Sequence, residues 1–332
     1  MASIAKPSGA PALWPYAALA LLLLVLLGAI LALNGGTFTY SLDDSYIHLA
    51  FSEQLAQGNF GLVAQQPASP SSSVLYPLLL LPLAGTALHP FQPLLWAAAA
   101  VCAALALWRY LLGHLVLEGL ADGRLLSGIF ALLAVVSLNH AGLAFSGMES
   151  ALQITLSLAT TIGLIELLFG QKLRWWLVLG IIAGPLIRYE NLALSLPAIL
   201  IVIAYGRWQT AALCALVIAA ALGGYAAYCL SIGLPALPGS LLLKTGLGDP
   251  SVGLFWGIAR QLRHLYEVAI GGRSDLPILM LMGLLVLNFA FCSPGPMRRR
   301  ERVLIGSALF VMAVQFIFGG HGSLGRYDVY AW

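Results

Sequence analysis

Two adjacent aspartates open the stretch Ser41-Leu42-Asp43-Asp44-Ser45-Tyr46-Ile47-His48. A carboxylate pair can act as a general base or bind a divalent cation. Tyr46, Ile47, Ala50, Phe51 and Leu55 follow helical spacing, while Asp44, His48 and Ser52 share another face. The spacing predicts an amphipathic helix of about 14 residues lying on a bilayer, with Asp43 at its N-cap. One acid suffices to cap such a helix or complement its dipole, so the second favours a carboxylate site. Glu149, in Gly147-Met148-Glu149-Ser150, stands at a helix start, where dipole complementation is the plain explanation. Arg188 and Glu190 interrupt an apolar hairpin in Pro185-Leu186-Ile187-Arg188-Tyr189-Glu190-Asn191. Two residues apart, they would not meet on a regular helix, but Pro185 permits a broken one. The two either lock the hairpin as an ion pair or leave the planar Arg188 fork for an oxyanion such as phosphate. Lys244 follows Leu241-Leu242-Leu243 and either snorkels or meets an anion, and Arg326 lies before Tyr327 in a Gly-Arg-Tyr turn.

These residues stand out because charge is scarce. Of 332 residues 60% are hydrophobic and only 9% charged, and the mean hydropathy is +0.92. A water-soluble globule needs far more polar surface, which excludes a soluble enzyme. Disorder is excluded on the same ground, and a net charge of +3 leaves no basic stripe for nucleic acid. An all-α polytopic membrane protein remains, with spans expected near 14–33, 92–113, 124–144, 150–169, 173–187, 191–206, 209–231, 276–293 and 303–319. The first run is too long for a signal-peptide core and reads as a retained span. With the N-terminus inside, the loops holding Arg109 and Arg124, Lys172 and Arg174, Arg207, and Arg298 to Arg302 all fall on the cytoplasmic side.

That parity requires Val74–Leu88, interrupted by Pro77 and Pro82, to be a re-entrant or interfacial helix and no crossing. The outward loops then cover 34–91 and 232–275, and Phe255–Val268 reads as a surface helix. All nine candidate residues fall on the outward side. No internal repeat divides the chain, so residues 1–332 read as one transmembrane domain. Cys102, Cys214, Cys229 and Cys292 lack metal or disulfide spacing and read as small core residues. No H-E-x-x-H, G-x-S-x-G or Gly-rich phosphate loop supports a zincin, hydrolase or ATP-driven reading.

In this order, the motifs resemble the GT-C superfamily of membrane glycosyltransferases, which includes protein O-mannosyltransferases, aminoarabinose transferases and arabinofuranosyltransferases. The likeness lies in Asp43-Asp44-Ser45-Tyr46-Ile47, Gly147-Met148-Glu149-Ser150, Arg188-Tyr189-Glu190-Asn191, Pro238-Gly239-Ser240 through Lys244, and Gly325-Arg326-Tyr327. Tyr189 replaces the usual proline, and the family's C-terminal spans and outward domain are not in the sequence. The resemblance implies a GT-C-like bundle in the bacterial inner membrane with its active site outward. It implies inverting transfer of a sugar from a polyprenyl-phosphate donor to a glycan, lipid or protein acceptor. Asp43, Asp44 and Glu149 would form the acidic centre. His48, Arg188, Glu190, Lys244, Arg326 and Tyr327 would bind substrate and phosphate. No cofactor is demanded, although a divalent metal (Mg or Mn) on Asp43 and Asp44 is compatible with the pair. The competing class is a lipid or sugar transporter or flippase, which calls for charges through the midplane and internal repeats. A third is a non-catalytic scaffold subunit.

Overall fold

The computed structural model describes residues 13–120, 122–170, 172–239, 242, 276–291 and 296–318. Lys244, Arg326, Tyr327 and the segment Phe255–Val268 lie outside the described residues. Among those described, regular structure is helical and there is no strand. The helices are α1 (Trp14–Leu33), α2 (Asp44–Ala56), α3 (Tyr76–Leu79), α4 (Gln92–Leu111), α5 (Gly123–Ser137), α6 (His140–Ala144), α7 (Ser150–Gly170) and α8 (Trp175–Ile187), followed by α9 (Leu192–Ala204), α10 (Trp208–Ser231), α11 (Leu276–Phe291) and α12 (Pro296–Phe318).

Among the described residues, four stretches are long and apolar enough to cross a bilayer: Trp14–Leu33, His89–Val116, Ser150–Gly170 and Trp208–Ser231. They mark a membrane protein. The other expected spans also coincide with helices, but α5, α8 and α9 have 15, 13 and 13 residues, below the usual crossing length. The run 124–144 is divided, because Asn139 adopts a left-handed φ of 54° between α5 and α6. Val74–Leu88 is not one re-entrant helix. It breaks into the single turn α3 and a 3-10 turn at Leu81–Leu83, as expected when Pro77 and Pro82 each remove a backbone donor.

α7 packs between α4 and α8. Thr155 Oγ1 donates to Ala100 O at 2.9 Å. A Cβ at Gly180 would lie 2.2 Å from Thr160 Oγ1 and 2.8 Å from Leu156 O, so glycine sets the closeness of α7 and α8. Such small-residue contacts replace the hydrophobic drive that lipid cannot supply. Leu164, Leu167, Leu168, Leu177, Ile181 and Ala198 continue this core among α7, α8 and α9.

Polar contacts collect at the two ends of the bundle. At one end the segment after α2 meets the C-terminal ends of α8 and α10. Val74 and Leu75 donate their N–H groups to Leu186 O at 3.1 and 2.9 Å, occupying a carbonyl that the end of α8 leaves without a helical partner. Ser69 Oγ lies 2.6 Å from Tyr225 Oη, and Gly239 N donates to Ser69 O at 3.2 Å. At the other end Arg174 grips Glu166 with Nε and Nη2 at 2.9 and 2.8 Å. Tyr110 donates its hydroxyl to the same carboxylate.

Candidate functional site

Glu149 is the centre of the first polar end. Its carbonyl accepts Gln153 N at 2.9 Å, so it occupies the N-cap of α7 while its side chain turns inward instead of capping. Gly147 makes this turn possible. Its φ is +69°, and a Cβ there would come within 2.6 Å of both Ser45 Cβ and the Tyr40 ring. The Glu149 side chain has no solvent exposure, and its Oε2 lies 3.2 Å from His48 Nε2. Ser72 Oγ donates to Oε1 at 2.8 Å, and Arg188 Nε lies 3.6 Å from the same oxygen.

α2 delivers His48 by turning inward the face expected to stay polar and solvated. Ser45, His48, Leu49, Phe51 and Ser52 are buried, while Tyr46 is 45% exposed. The polar stripe of the helix finds partners inside the protein, and buried polar groups settle where partners exist. His48 Nδ1 is 3.2 Å from Ser71 Oγ, and Tyr76 stands edge-on to its ring at 5.2 Å. Ser71 donates its own hydrogen to Ser73 O at 2.8 Å, so it acts as acceptor toward His48. Both ring nitrogens therefore face oxygen atoms of neighbouring side chains.

Ser71, His48 and Glu149 share the connectivity of a hydrolytic triad, but they cannot act as one. Ser71 is fully buried, and its hydroxyl hydrogen is committed to a carbonyl.

Arg188 is 1% exposed and takes an extended backbone conformation after α8. This break lets Nη2 donate to Glu190 Oε1 at 2.8 Å despite the spacing of two residues. Arg188 thus spans Glu149 and Glu190. A buried charge is costly unless it is paired, and Arg188 has a carboxylate on either side. Burial pushes the Glu149 carboxyl up, but His48, and then Arg188, outweigh it and hold the group well below the usual carboxylate range.

Asp43 lies at the exposed start of α2 and accepts Asp44 N–H at 3.0 Å through Oδ1. It is the N-cap that the sequence suggests. Asp44, half-buried, begins the helix one turn before His48. The two carboxylates suit a metal of the magnesium type only with phosphate or water completing its shell. Among the described residues no three His, Cys, Asp or Glu side chains gather to hold one.

The structure therefore brings together His48, Glu149, Arg188 and Glu190, and puts Asp43 and Asp44 on the helix that carries His48. Sequence reasoning missed Ser71, Ser72 and Tyr76 as partners. The only signal was a dense serine run, Ser69-Pro70-Ser71-Ser72-Ser73, directly ahead of an apolar stretch. It also passed over Glu166 and Tyr110, which sit among apolar neighbours in α7 and α4. No protein-family model, curated protein or solved structure matches this chain.

Proposed function

We propose that the protein is an inverting glycosyltransferase of a bacterial cytoplasmic membrane, with a GT-C-like bundle of about nine spans and its site on the outer face. It would move a sugar from a polyprenyl-phosphate donor to a glycan, lipid or protein acceptor of the envelope. The observation that carries the reading is an accessible carboxylate at the start of the helix whose His48 joins a buried ion-pair cluster. Asp43 is exposed, whereas Glu149 is sealed and held ionised by His48 and Arg188. A carboxyl that holds its proton so weakly is a poor base, so Glu149 acts as a positioning residue and Asp43 as the catalytic one.

In this mechanism Asp43 accepts the acceptor's hydroxyl proton as that oxygen attacks the anomeric carbon. The carbon–oxygen bond to the lipid phosphate breaks on the opposite face, and the phosphate leaves as an anion. Cations receive it without a general acid, a role assigned to Lys244 and Arg326. Arg188 pairs with Glu149 and Glu190 inside the protein.

The test supplies the purified protein with radiolabelled polyprenyl-phosphate sugars and an envelope extract. Label should pass to an acceptor. Asp43→Asn still caps α2, because Asn caps about as well as Asp. It should keep its fold and donor binding while transfer falls at least about 100-fold. Unimpaired Asp43→Asn with inactive Asp44→Asn would exchange the two roles. Movement of labelled donor across a vesicle without any transfer would favour the flippase.

A further inference from the structure

A second site lies away from Glu149, in an open groove of about 540 Å³ between α9, α11 and α12. Leu196 and Leu200 of α9 face Phe289 of α11 and Phe310 of α12 across it, and Arg299 and Arg302 enter its lining from the first turns of α12. The apolar lining residues are open, with Leu200 66%, Leu196 53% and Phe289 43% exposed. Gly306 lies between them, and a Cβ there would meet only Phe289, at 3.8 Å, an ordinary contact that leaves room in the groove.

We propose that this groove binds an anionic phospholipid of the bilayer. An acyl chain would lie along the leucines and phenylalanines, and the headgroup phosphate would meet Arg299 and Arg302. The occupant follows from charge complementarity. Arg299 and Arg302 are three residues apart and so share one face of α12. They stand at its N-terminal end, where the helix dipole already presents positive charge. A phosphate placed there would meet both guanidinium groups and the positive end of the helix dipole together. Arg302 also stacks over Phe289, 6.0 Å from the ring centre, which fixes a guanidinium at the boundary between the apolar groove and its charged mouth. Ser307 spends its hydroxyl on Val303 O at 2.8 Å, so it adds no polar demand to the chain-binding part. A basic pocket between helices that ends in an apolar slot matches a lipid with a charged head and a greasy tail. Free phosphate would gain nothing from the apolar walls, and a zwitterionic lipid little from the arginines. The site stands independently of the glycosyl-transfer reading.

The test titrates the delipidated full-length protein in detergent with dioleoylphosphatidylglycerol, dioleoylphosphatidylcholine or inorganic phosphate. Thermal unfolding and native mass spectrometry read the binding. Phosphatidylglycerol should stabilise the protein and be retained at least tenfold more tightly than phosphatidylcholine, with no effect of phosphate alone. Arg299→Gln with Arg302→Gln should weaken phosphatidylglycerol binding about tenfold or more, and the paired lysine variant should restore most of it. Gly306→Leu should reduce lipid retention with both arginines in place. Equal binding of the two lipids would overturn the proposal. So would an undiminished phosphatidylglycerol preference in the folded glutamine variant. If the glutamine variant does not fold, the lysine pair and Gly306→Leu decide the matter in the same way.

Discussion

Glu149 has no contact with solvent, yet its charge is set by neighbours from three separate parts of the chain. His48 comes from α2, Ser72 from the segment after it, and Arg188 from the break beyond α8. Removing one member of a buried ion pair costs about 3–5 kcal/mol, because the remaining charges lose their compensation. Glu149→Gln keeps the shape and an acceptor for Ser72 but discards the charge, so the variant should melt earlier than the parent at pH 7. The pH dependence separates this from a packing defect. The folded carboxyl binds its proton less readily than the unfolded one. Its stabilisation is therefore complete above the ordinary carboxyl value of about 4.3 and is lost as pH falls from there toward the depressed folded value. Thermal unfolding in detergent between pH 5 and 3, a range bracketing that value, should show the parent losing stability steeply and Glu149→Gln less so. Parallel curves would remove Glu149 as the linked group. None of this was legible from Gly147-Met148-Glu149-Ser150 alone, where a glutamate at a helix start reads as a dipole partner. What the sequence lacked was knowledge of which distant hydroxyl and imidazole reach it.

At the scale of elements, the placement of α2 against the start of α7 decides whether the site exists. Gly147 is the contact point, since its positive φ suits glycine and its missing side chain leaves room for Ser45 and Tyr40. Gly147→Ala faces two costs, about 1–2 kcal/mol for the left-handed backbone and a steric clash that pushes α2 away. Gly58 is a control, because its φ is +82° but nothing lies within 4 Å of a Cβ there. Gly58→Ala should therefore lower stability by the backbone term alone. Gly147→Ala should lower it by clearly more and speed proteolysis in the 57–68 segment, as α2 loosens. Equal losses in the two variants would show that the close approach carries no weight. Helix positions were largely readable, because long apolar runs bounded by charge or glycine leave few alternatives. The face that α2 buries was not readable. Helical spacing separates Tyr46 and Ile47 from His48 and Ser52, but it cannot tell which side meets protein when polar partners such as Ser71 and His89 wait inside.

Across the whole molecule, the contacts divide the candidate residues from the basic loops. The segment after α2 touches the ends of α8 and α10, and Glu149 begins α7 at that same end. Tyr110, Glu166 and Arg174 join α4, α7 and α8 at the other, near Arg109 and Lys172. An excess of Lys and Arg on one side marks the cytoplasmic face, so the Glu149 end should face outward. Cysteine labelling tests this, in a background where Cys102, Cys214, Cys229 and Cys292 are replaced. Ser71 makes a poor reporter because it is buried and bonded to His48. Ala64, exposed in the segment after α2, and Gln209, exposed at the start of α10, are better choices. Ala64→Cys should react with an impermeant thiol reagent in intact cells, and Gln209→Cys only after permeabilisation. These residues bracket the bundle through α10, whose far end meets the segment holding Ala64 through Phe60, Tyr225 and Tyr228. Reaction of both in intact cells would contradict the two-ended arrangement itself. The reverse pattern, with Gln209→Cys outside, would keep the arrangement and turn the candidate site to the cytoplasm, where a donor presented on the outer face could not reach Asp43.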